Sequence, residues 1–218
     1  TAEDIAFRIA PCINASGRLY ERGAELPLLL LLETDEHIAA DLARRVLLAN
    51  EERKKIQQQC CESVAEEAAE RIAQGEKVLV LYAQSAPSGV VGLIAGNLKE
   101  KYNRPCIVFS PKSDGNGNTI WCGSGRSITG YHLLNGLNAC NDLFLHYGGH
   151  ELAAGMSIPA DVKVLDELRE RLNEDASYLT DEDMMPIQLW DIEIDESDLT
   201  EDLYREMREL EPFGSGVD

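Results

Sequence analysis

The chain has 218 residues, 44% of them hydrophobic, and a formal net charge of −19, so it can form a core and is not disordered throughout. Its longest apolar run, residues 26–32, is too short to span a membrane, and its acidic N-terminal sequence lacks the basic start of a signal peptide. The six cysteines have no zinc-binding spacing, so we expect reduced thiols in a cytoplasmic protein.

The N-terminal third is predicted to be mainly helical. Within residues 5–19, the Pro, Asn and Gly of PCINASGR predict a turn, and residues 24–32 favour a short apolar helix. Across residues 35–73, apolar side chains recur with the 3.6-residue period of a helix, which Gly75 is well placed to end. A helix of this length is typical of a connector between two domains.

The middle of the chain has the pattern of an α/β domain. Two apolar runs, 78–82 and 106–110, predict buried strands, and residues 90–100 predict a helix between them, which together make a β-α-β unit. Later strands and helices are predicted at residues 119–124, 131–140, 156–158 and 162–173. The predicted fold class is therefore α/β, with a mixed β-sheet flanked by helices, a long connector helix before it and the start of a further domain after it.

The end of the chain is strongly acidic. Residues 176–186 predict an acidic linker, 187–194 alternate like a strand that opens a further domain, and 199–210 predict a last helix. Residues 161–218 contain 20 acidic and 5 basic residues, whereas residues 76–160 contain 5 acidic and 6 basic residues. The middle segment therefore does not repel phosphate, but any phosphate must be held by a few local groups.

One candidate site is YGGHELAAG at residues 147–155. Gly148 and Gly149 let the backbone approach a ligand, and His150 could donate to a phosphate oxygen. The residues after His150 predict the start of a helix, whose free N–H groups favour an anion. Taken alone, the motif is more typical of a tight turn with a hydrogen-bonded histidine.

The second candidate is GSGRS at residues 123–127. Arg126 carries a planar guanidinium that matches phosphate, Ser124 and Ser127 offer hydroxyl donors, and Gly125 exposes backbone N–H. Alone, this motif is also typical of an exposed loop. Because both motifs follow predicted strands, together they favour a phosphate pocket at the edge of the sheet.

These two motifs in this order resemble the DHH-associated domain of the DHH phosphoesterase superfamily. Further segments resemble RecJ-like exonucleases of that superfamily: INASGR (13–18), ANEERKKIQ (49–57), GVVGLIAGNL (89–98) followed by RPCIVF, and EPFGSG (211–216). The chain departs from the family pattern at Cys12, where Arg is usual, and at Ala86 and Pro87, where Trp and His are usual.

The resemblance implies the substrate-holding part of a 5′-to-3′ single-stranded-DNA exonuclease of DNA repair and recombination. It implies four parts: the end of a catalytic domain (1–33), a connector helix (34–75), a substrate-binding domain (76–175), and an acidic linker with the start of an oligonucleotide-binding-type domain (176–218). Mn²⁺ or Mg²⁺ would be held in a catalytic DHH domain outside this sequence. The chain itself would bind no metal or cofactor and would be inactive alone.

The resemblance also implies partners and contact residues. The partners would be single-stranded DNA, the catalytic DHH domain, a single-strand-binding protein and a helicase, with no membrane. Arg126 would hold a phosphate with help from Ser124 and Ser127, and His150 would donate to the same or an adjacent phosphate. The remaining candidates are Gly125, Gly148, Gly149 and the weaker Arg18, on a turn between domains.

Two alternatives remain open from the sequence. One is part of a short-RNA or cyclic-dinucleotide phosphodiesterase, which the connector, INASGR and EPFGSG disfavour. The other is a non-catalytic nucleic-acid-binding scaffold, favoured by the replacements at Cys12 and Pro87.

Overall fold

The computed structural model describes residues 1–187, 190 and 192–211. Its N-terminal part is helical. A short helix α1 (Ala2–Asp4) and a π-helical stretch (Ile5–Ile9) continue into α2 (Ala10–Leu19), which is followed by α3 (Glu25–Leu32) and the long α4 (Glu36–Ala73). The predicted apolar helix and the predicted long helix are thereby confirmed, while the role of the long helix as a connector between domains remains a prediction.

The turn predicted from PCINASGR is wrong, because this segment forms α2. Pro11 lies at the junction between the π-helical stretch and α2, where the hydrogen-bond pattern of the helix changes. Ser16 is buried, and its hydroxyl donates to the Gly23 carbonyl oxygen at 2.7 Å. The helix is thus held by contacts with the segment that follows it, which local turn propensity does not report.

Helix α4 has sequence-encoded ends. The Asp35 carboxylate accepts hydrogen bonds from the backbone N–H groups of His37 (2.9 Å) and Ile38 (3.1 Å), as an N-cap does. At the other end Gly75 has φ +90°, a conformation that favours glycine after a helix. Between these ends, all 38 residues form one continuous helix.

A five-stranded mixed sheet forms the centre of the molecule. Its strands are β1 (Leu79–Tyr82), β2 (Cys106–Ser113), β3 (Thr119–Arg126), β4 (His146–Gly149) and β5 (Ala153–Pro159). The order across the sheet is β1-β2-β3-β5-β4, in which β1 and β2 are parallel and all other pairs are antiparallel. Helix α5 (Val91–Tyr102) connects the parallel pair, so the predicted β-α-β unit is confirmed.

Helices cover both faces of the sheet. On one face, α6 (Leu133–Ala139) and α7 (Val162–Asp175) pack their apolar side chains against Phe109 and Trp121. On the other face, α4 and α5 pack against Leu79 and Leu81 of β1. Each fully buried leucine contributes about 1.5–3 kcal/mol to folding, which makes these two layers the main source of stability.

The segment after α7 partly packs on the domain. Leu179 and Met184 are buried, and Lys77 Nζ donates to the carbonyl oxygens of Ser177 and Leu179, both at 2.6 Å. Helix α8 (Glu201–Glu209) follows. None of residues 187, 190 and 192–194 is in a strand, although one was predicted at 187–194. Residues 188, 189, 191 and 212–218, which include most of EPFGSG, lie outside the described residues, and the division into domains remains a prediction.

Candidate nucleic-acid interface

The GSGRS motif lies within strand β3 and is not a loop after it, except for Ser127. Side chains alternate along the strand, so Gly123 and Gly125 face the core under α6. A Cβ atom at Gly123 would lie 2.6 Å from the Phe109 ring, and one at Gly125 would lie 2.7 Å from Leu133 Cδ2. These glycines are therefore needed for packing, and the prediction that Gly125 contacts phosphate has no geometric support beyond its place in the strand.

Ser124 and Arg126 project from the opposite face of β3. In the antiparallel ladder they pair with Val108 and Cys106, whose side chains are buried under α4 and α5. Arg126 Nη1 donates to Ser124 Oγ at 3.0 Å and to the Gly125 carbonyl oxygen at 2.7 Å. The hydroxyl and the guanidinium therefore act as one unit.

Ser127 is turned into the structure. It is buried, its hydroxyl donates to the Tyr131 carbonyl oxygen at 2.7 Å, and its backbone N–H donates to the Leu152 carbonyl oxygen at 2.9 Å. The backbone bond ties the end of β3 to the turn between β4 and β5, and the hydroxyl bond fixes the segment that follows β3. Ser127 thus holds the shape of the site and has its hydroxyl proton already engaged.

The YGGHELAAG motif forms a β-hairpin, so the helix predicted after His150 is wrong. Gly148 and Gly149 end β4, and Ala153 begins β5. The His150 N–H donates to the Ala153 carbonyl oxygen at 2.8 Å, which extends the ladder by one residue. A Cβ atom at Gly149 would lie 2.7 Å from Ala154 Cβ, so this glycine allows the hairpin to close. No helix N-terminus is available here to bind an anion.

The two motifs meet on one face of the sheet through strand pairing. Ser124 is opposite Gly155, and Gly155 is opposite Gly148. A Cβ atom at Gly148 or Gly155 would have no atom within 4 Å, so the backbone is open to a ligand there. We call Ser124, Gly155 and Gly148 the open strip. Two residues further along β3, Arg126 is opposite Ala153. Ala153 in turn is hydrogen-bonded to the exposed His150.

The start of α5 lies against the polar end of this strip. Gly92 is in the first turn of α5, and a Cβ atom on it would lie 3.0 Å from Ser124 Oγ and 3.1 Å from Arg126 Nη2. The N–H groups of Leu93 and Ile94 are bonded to the Val90 carbonyl oxygen, so the N–H groups that can favour an anion are those of Val91 and Gly92 at the start of the helix. Sequence reasoning missed Gly92, although it is the last residue of the GVVG segment and could have been noticed there.

Three arginines near this point have no acidic partner within the described part of the chain: Arg18, Arg53 and Arg126. We call them the arginine cluster. Burial, followed by the positive charge of Arg18, lowers the pKa of Arg126 and also that of Arg53. Because the guanidinium groups repel one another while remaining charged, an anion bound among them would relieve the repulsion.

Other contacts hold the cluster in place. Arg18, which lies in the last turn of α2 and not on a turn between domains, donates from Nη1 to the Gly89 carbonyl oxygen at 3.1 Å. Arg53 donates to Asn50 Oδ1 and Gln57 Oε1, both at 2.7 Å. The Asn50 side-chain N–H also reaches Cys12 Sγ at 3.3 Å, so Cys12 belongs to the network that joins α2 to α4.

The described residues include no group of three or more His, Cys, Asp and Glu placed to hold a metal ion. Residues 35–37, with the sequence Asp-Glu-His, form the N-cap and the first turn of α4. Within the same residues no helix is long and apolar enough to cross a membrane.

Comparison with known proteins identifies relatives of this chain. The DHHA1 domain family matches residues 75–177. The chain is 35% identical over 216 residues to the single-stranded-DNA-specific exonuclease RecJ of Bacillus subtilis, which covers 97% of this chain and 26% of that protein. The chain is RecJ-like. It is also 33% identical to RecJ of Dickeya dadantii, over 98% of this chain and 37% of that protein.

Solved structures show the same fold. RecJ from Thermus thermophilus in complex with Mn²⁺ matches 99% of this RecJ-like chain and 30% of its own chain, with a TM-score of 0.81 and 29% identity. The Mg²⁺ complex of the same protein matches with a TM-score of 0.79 and 30% identity, over 99% of this chain and 32% of its own. The chain thus spans between 26% and 37% of the length of these relatives.

Proposed function

We propose that this RecJ-like chain holds a single-stranded DNA end for a 5′-to-3′ exonuclease of DNA repair and recombination. The names of the relatives matched along nearly the whole chain support this substrate. The observation that carries the proposal is the position of Arg126. Its guanidinium is bonded to Ser124, has no acidic partner in the described residues, and lies at the start of α5 beside the open strip.

Each group has a part in holding the strand. The Arg126 fork and the Ser124 hydroxyl bind one phosphate, with the first turn of α5 favouring its negative charge. Bare backbone at Gly148 and Gly155 lets the sugar-phosphate chain lie against the sheet. His150, at the end of the neighbouring row, donates to an adjacent phosphate. A hydrogen bond to a charged group contributes about 1.5–3 kcal/mol, enough to position a strand.

The hydrolytic chemistry belongs to the longer protein in this proposal. Solved RecJ structures contain Mn²⁺ or Mg²⁺, and such ions activate water and stabilise the leaving oxygen when bound. The described residues do not offer a ligand set for them, so we assign the ions to a catalytic DHH domain outside this chain. The 218-residue chain alone is then expected to bind DNA and not to cut it.

We assign the exposed apolar surface of α3 to contact with that catalytic domain. Leu31 and Leu32 are 67% and 71% exposed, and Leu28 and Leu29 of the same helix are also exposed. Apolar patches of this kind usually mark contact surfaces. The same proposal includes a single-strand-binding protein and a helicase as partners and a cytoplasmic location.

Fluorescence anisotropy with a 5′-phosphorylated single-stranded oligonucleotide tests the substrate site. Arg126→Ala in the isolated chain should weaken binding about tenfold or more, because one or two charge-assisted hydrogen bonds are removed. The control is Lys112→Ala, which removes an exposed charge from the adjacent strand β2. In the longer protein, Arg126→Ala should lower kcat/KM on the same DNA.

Equal decreases in affinity for Arg126→Ala and Lys112→Ala would refute the phosphate contact. Replacing the oligonucleotide with a dinucleotide tests the alternative phosphodiesterase function. A chain that binds the dinucleotide as tightly as a longer strand would contradict the proposed exonuclease substrate.

A further inference from the structure

A second concave surface lies between helices α4 and α5. It encloses about 470 Å³, a size typical of ligand sites. Its lining comprises Arg53, Lys54, Gln57, Gln58, Cys61, Glu62 and Ala65 of α4 together with Asn97, Leu98 and Lys101 of α5. We call this surface the interhelical groove. None of these residues belongs to GSGRS or to YGGHELAAG.

The groove is basic although the chain as a whole carries a net charge of −19. Its lining has three cations, Arg53, Lys54 and Lys101, against one carboxylate, Glu62. Lys54 is paired with Glu51 at 2.9 Å, whereas Lys101 lies over the Tyr102 ring, with Nζ 5.0 Å from its centroid. Three side-chain amides also line the groove, of which Gln58 already donates from Nε2 to Glu62 at 2.9 Å. Such a mixture of cations and amides is suited to phosphate oxygens.

The groove shares one residue, Arg53, with the arginine cluster. Arg53 lines one end of the groove and is close enough to Arg18 for their charges to interact. Arg18 in turn reaches the Gly89 carbonyl oxygen, just before α5. At the far end the Tyr102 hydroxyl donates to the Ala65 carbonyl oxygen at 3.5 Å. About twelve residues of α4 separate Arg53 from Ala65, which corresponds to about 18 Å along the helix.

We propose that the interhelical groove binds the phosphates of a single nucleic-acid strand whose 5′ end is held at Ser124 and Arg126. This inference rests on the proposed function and extends it to a second contact region. A nucleic-acid strand fits better than an acidic peptide because the groove shares Arg53 with the arginine cluster and because its amides and guanidinium match phosphate oxygens.

Anisotropy with the isolated chain and two 5′-phosphorylated probes tests the groove. One probe is a dinucleotide, and the other has about 12 nucleotides, within the range that single-strand-binding sites cover. Lys101→Glu should weaken binding of the longer probe about threefold to tenfold and lower the slope of log K against log salt by about 0.7 for each phosphate that is no longer neutralised. Its effect on the dinucleotide should stay within about twofold.

Lys55→Glu is the matched control. Lys55 is exposed on α4 beside the groove residue Lys54 and does not line the groove, while the change in charge is the same. Equal decreases in affinity for Lys101→Glu and Lys55→Glu would overturn the inference, because the effect would then be one of general charge. Circular dichroism melting of both variants verifies that they are folded.

Two further measurements separate the possible failures. If Arg126→Ala weakens both probes and Lys101→Glu weakens neither, the groove inference fails while the proposed function stands. If Lys101→Glu weakens only the longer probe and Arg126→Ala weakens neither, the phosphate site fails. A poly-glutamate peptide that binds the wild-type chain and binds Lys101→Glu more weakly, while the longer DNA binds both equally, would overturn the inference in favour of an acidic peptide.

Discussion

We expect Gly92→Ala to separate the stability of this RecJ-like chain from its proposed binding of DNA. The new Cβ atom would lie 3.0 Å from Ser124 Oγ and 3.1 Å from Arg126 Nη2. Ordinary contacts of such an atom are longer, so the hydroxyl and the guanidinium must move by a few tenths of an ångström. The helix itself tolerates the change, because alanine is favoured over glycine in helices by up to about 1 kcal/mol.

The expected decrease is in binding alone. Moving the guanidinium away from its fixed position should remove one charge-assisted hydrogen bond to phosphate, worth about 1.5–3 kcal/mol, or about 10- to 150-fold in Kd. Gly96→Ala is the control, because Gly96 is one turn further along α5 and a Cβ atom there has no atom within 4 Å. Anisotropy with a 5′-phosphorylated oligonucleotide measures binding, and urea unfolding measures stability.

Both variants should unfold at an equal or higher urea concentration than the wild-type chain, while only Gly92→Ala should bind DNA weakly. Wild-type affinity for Gly92→Ala, with stability changed as in Gly96→Ala, would refute the reasoning. It would mean that the position of Arg126 beside α5 does not matter for holding a phosphate.

Two other predictions concern a buried thiol and an exposed helix. Complete burial raises the pKa of the Cys106 thiol, so Cys106 should remain protonated in the folded chain. It should then resist alkylation by iodoacetamide at about pH 8 and react only after unfolding. Rapid labelling of Cys106 in the folded chain, detected by mass spectrometry of peptides, would contradict this. Leu32→Glu should change the free energy of unfolding of the isolated chain by less than about 0.5 kcal/mol, because Leu32 is exposed. The same change should lower the nuclease activity of the longer protein by weakening contact with the catalytic domain. Unchanged activity would contradict the role assigned to α3.

Much of the fold could be predicted because its elements have strong local signals. The period of α4, the Asp35 cap and Gly75 determine a long helix with defined ends. Apolar runs with a helix between them determine the parallel pair β1 and β2. These patterns depend on residues within a few turns of one another, so the sequence alone was sufficient.

The errors occurred where distant parts of the chain decide the local structure. The residues after His150 have helical propensity, yet they form β5 because β3 and β4 pair with them on both sides. Ala154 pairs with Gly125, and Gly155 pairs with Ser124. This strand pairing provides the backbone N–H and C=O groups with the hydrogen bonds that a local helix would otherwise have provided. The Pro, Asn and Gly of PCINASGR likewise become helical because α2 packs against α4.

The sequence by itself therefore determined the candidate residue types, the α/β class and the likeness to RecJ. It indicated Ser124, Arg126 and His150 because hydroxyl, guanidinium and imidazole groups suit phosphate. Only the tertiary structure decided which groups meet. Gly92 and Arg18 come near Arg126, and Arg53 comes near Arg18, through packing of α2, α4 and α5. These elements are far apart in the chain, and no local pattern reports such contacts.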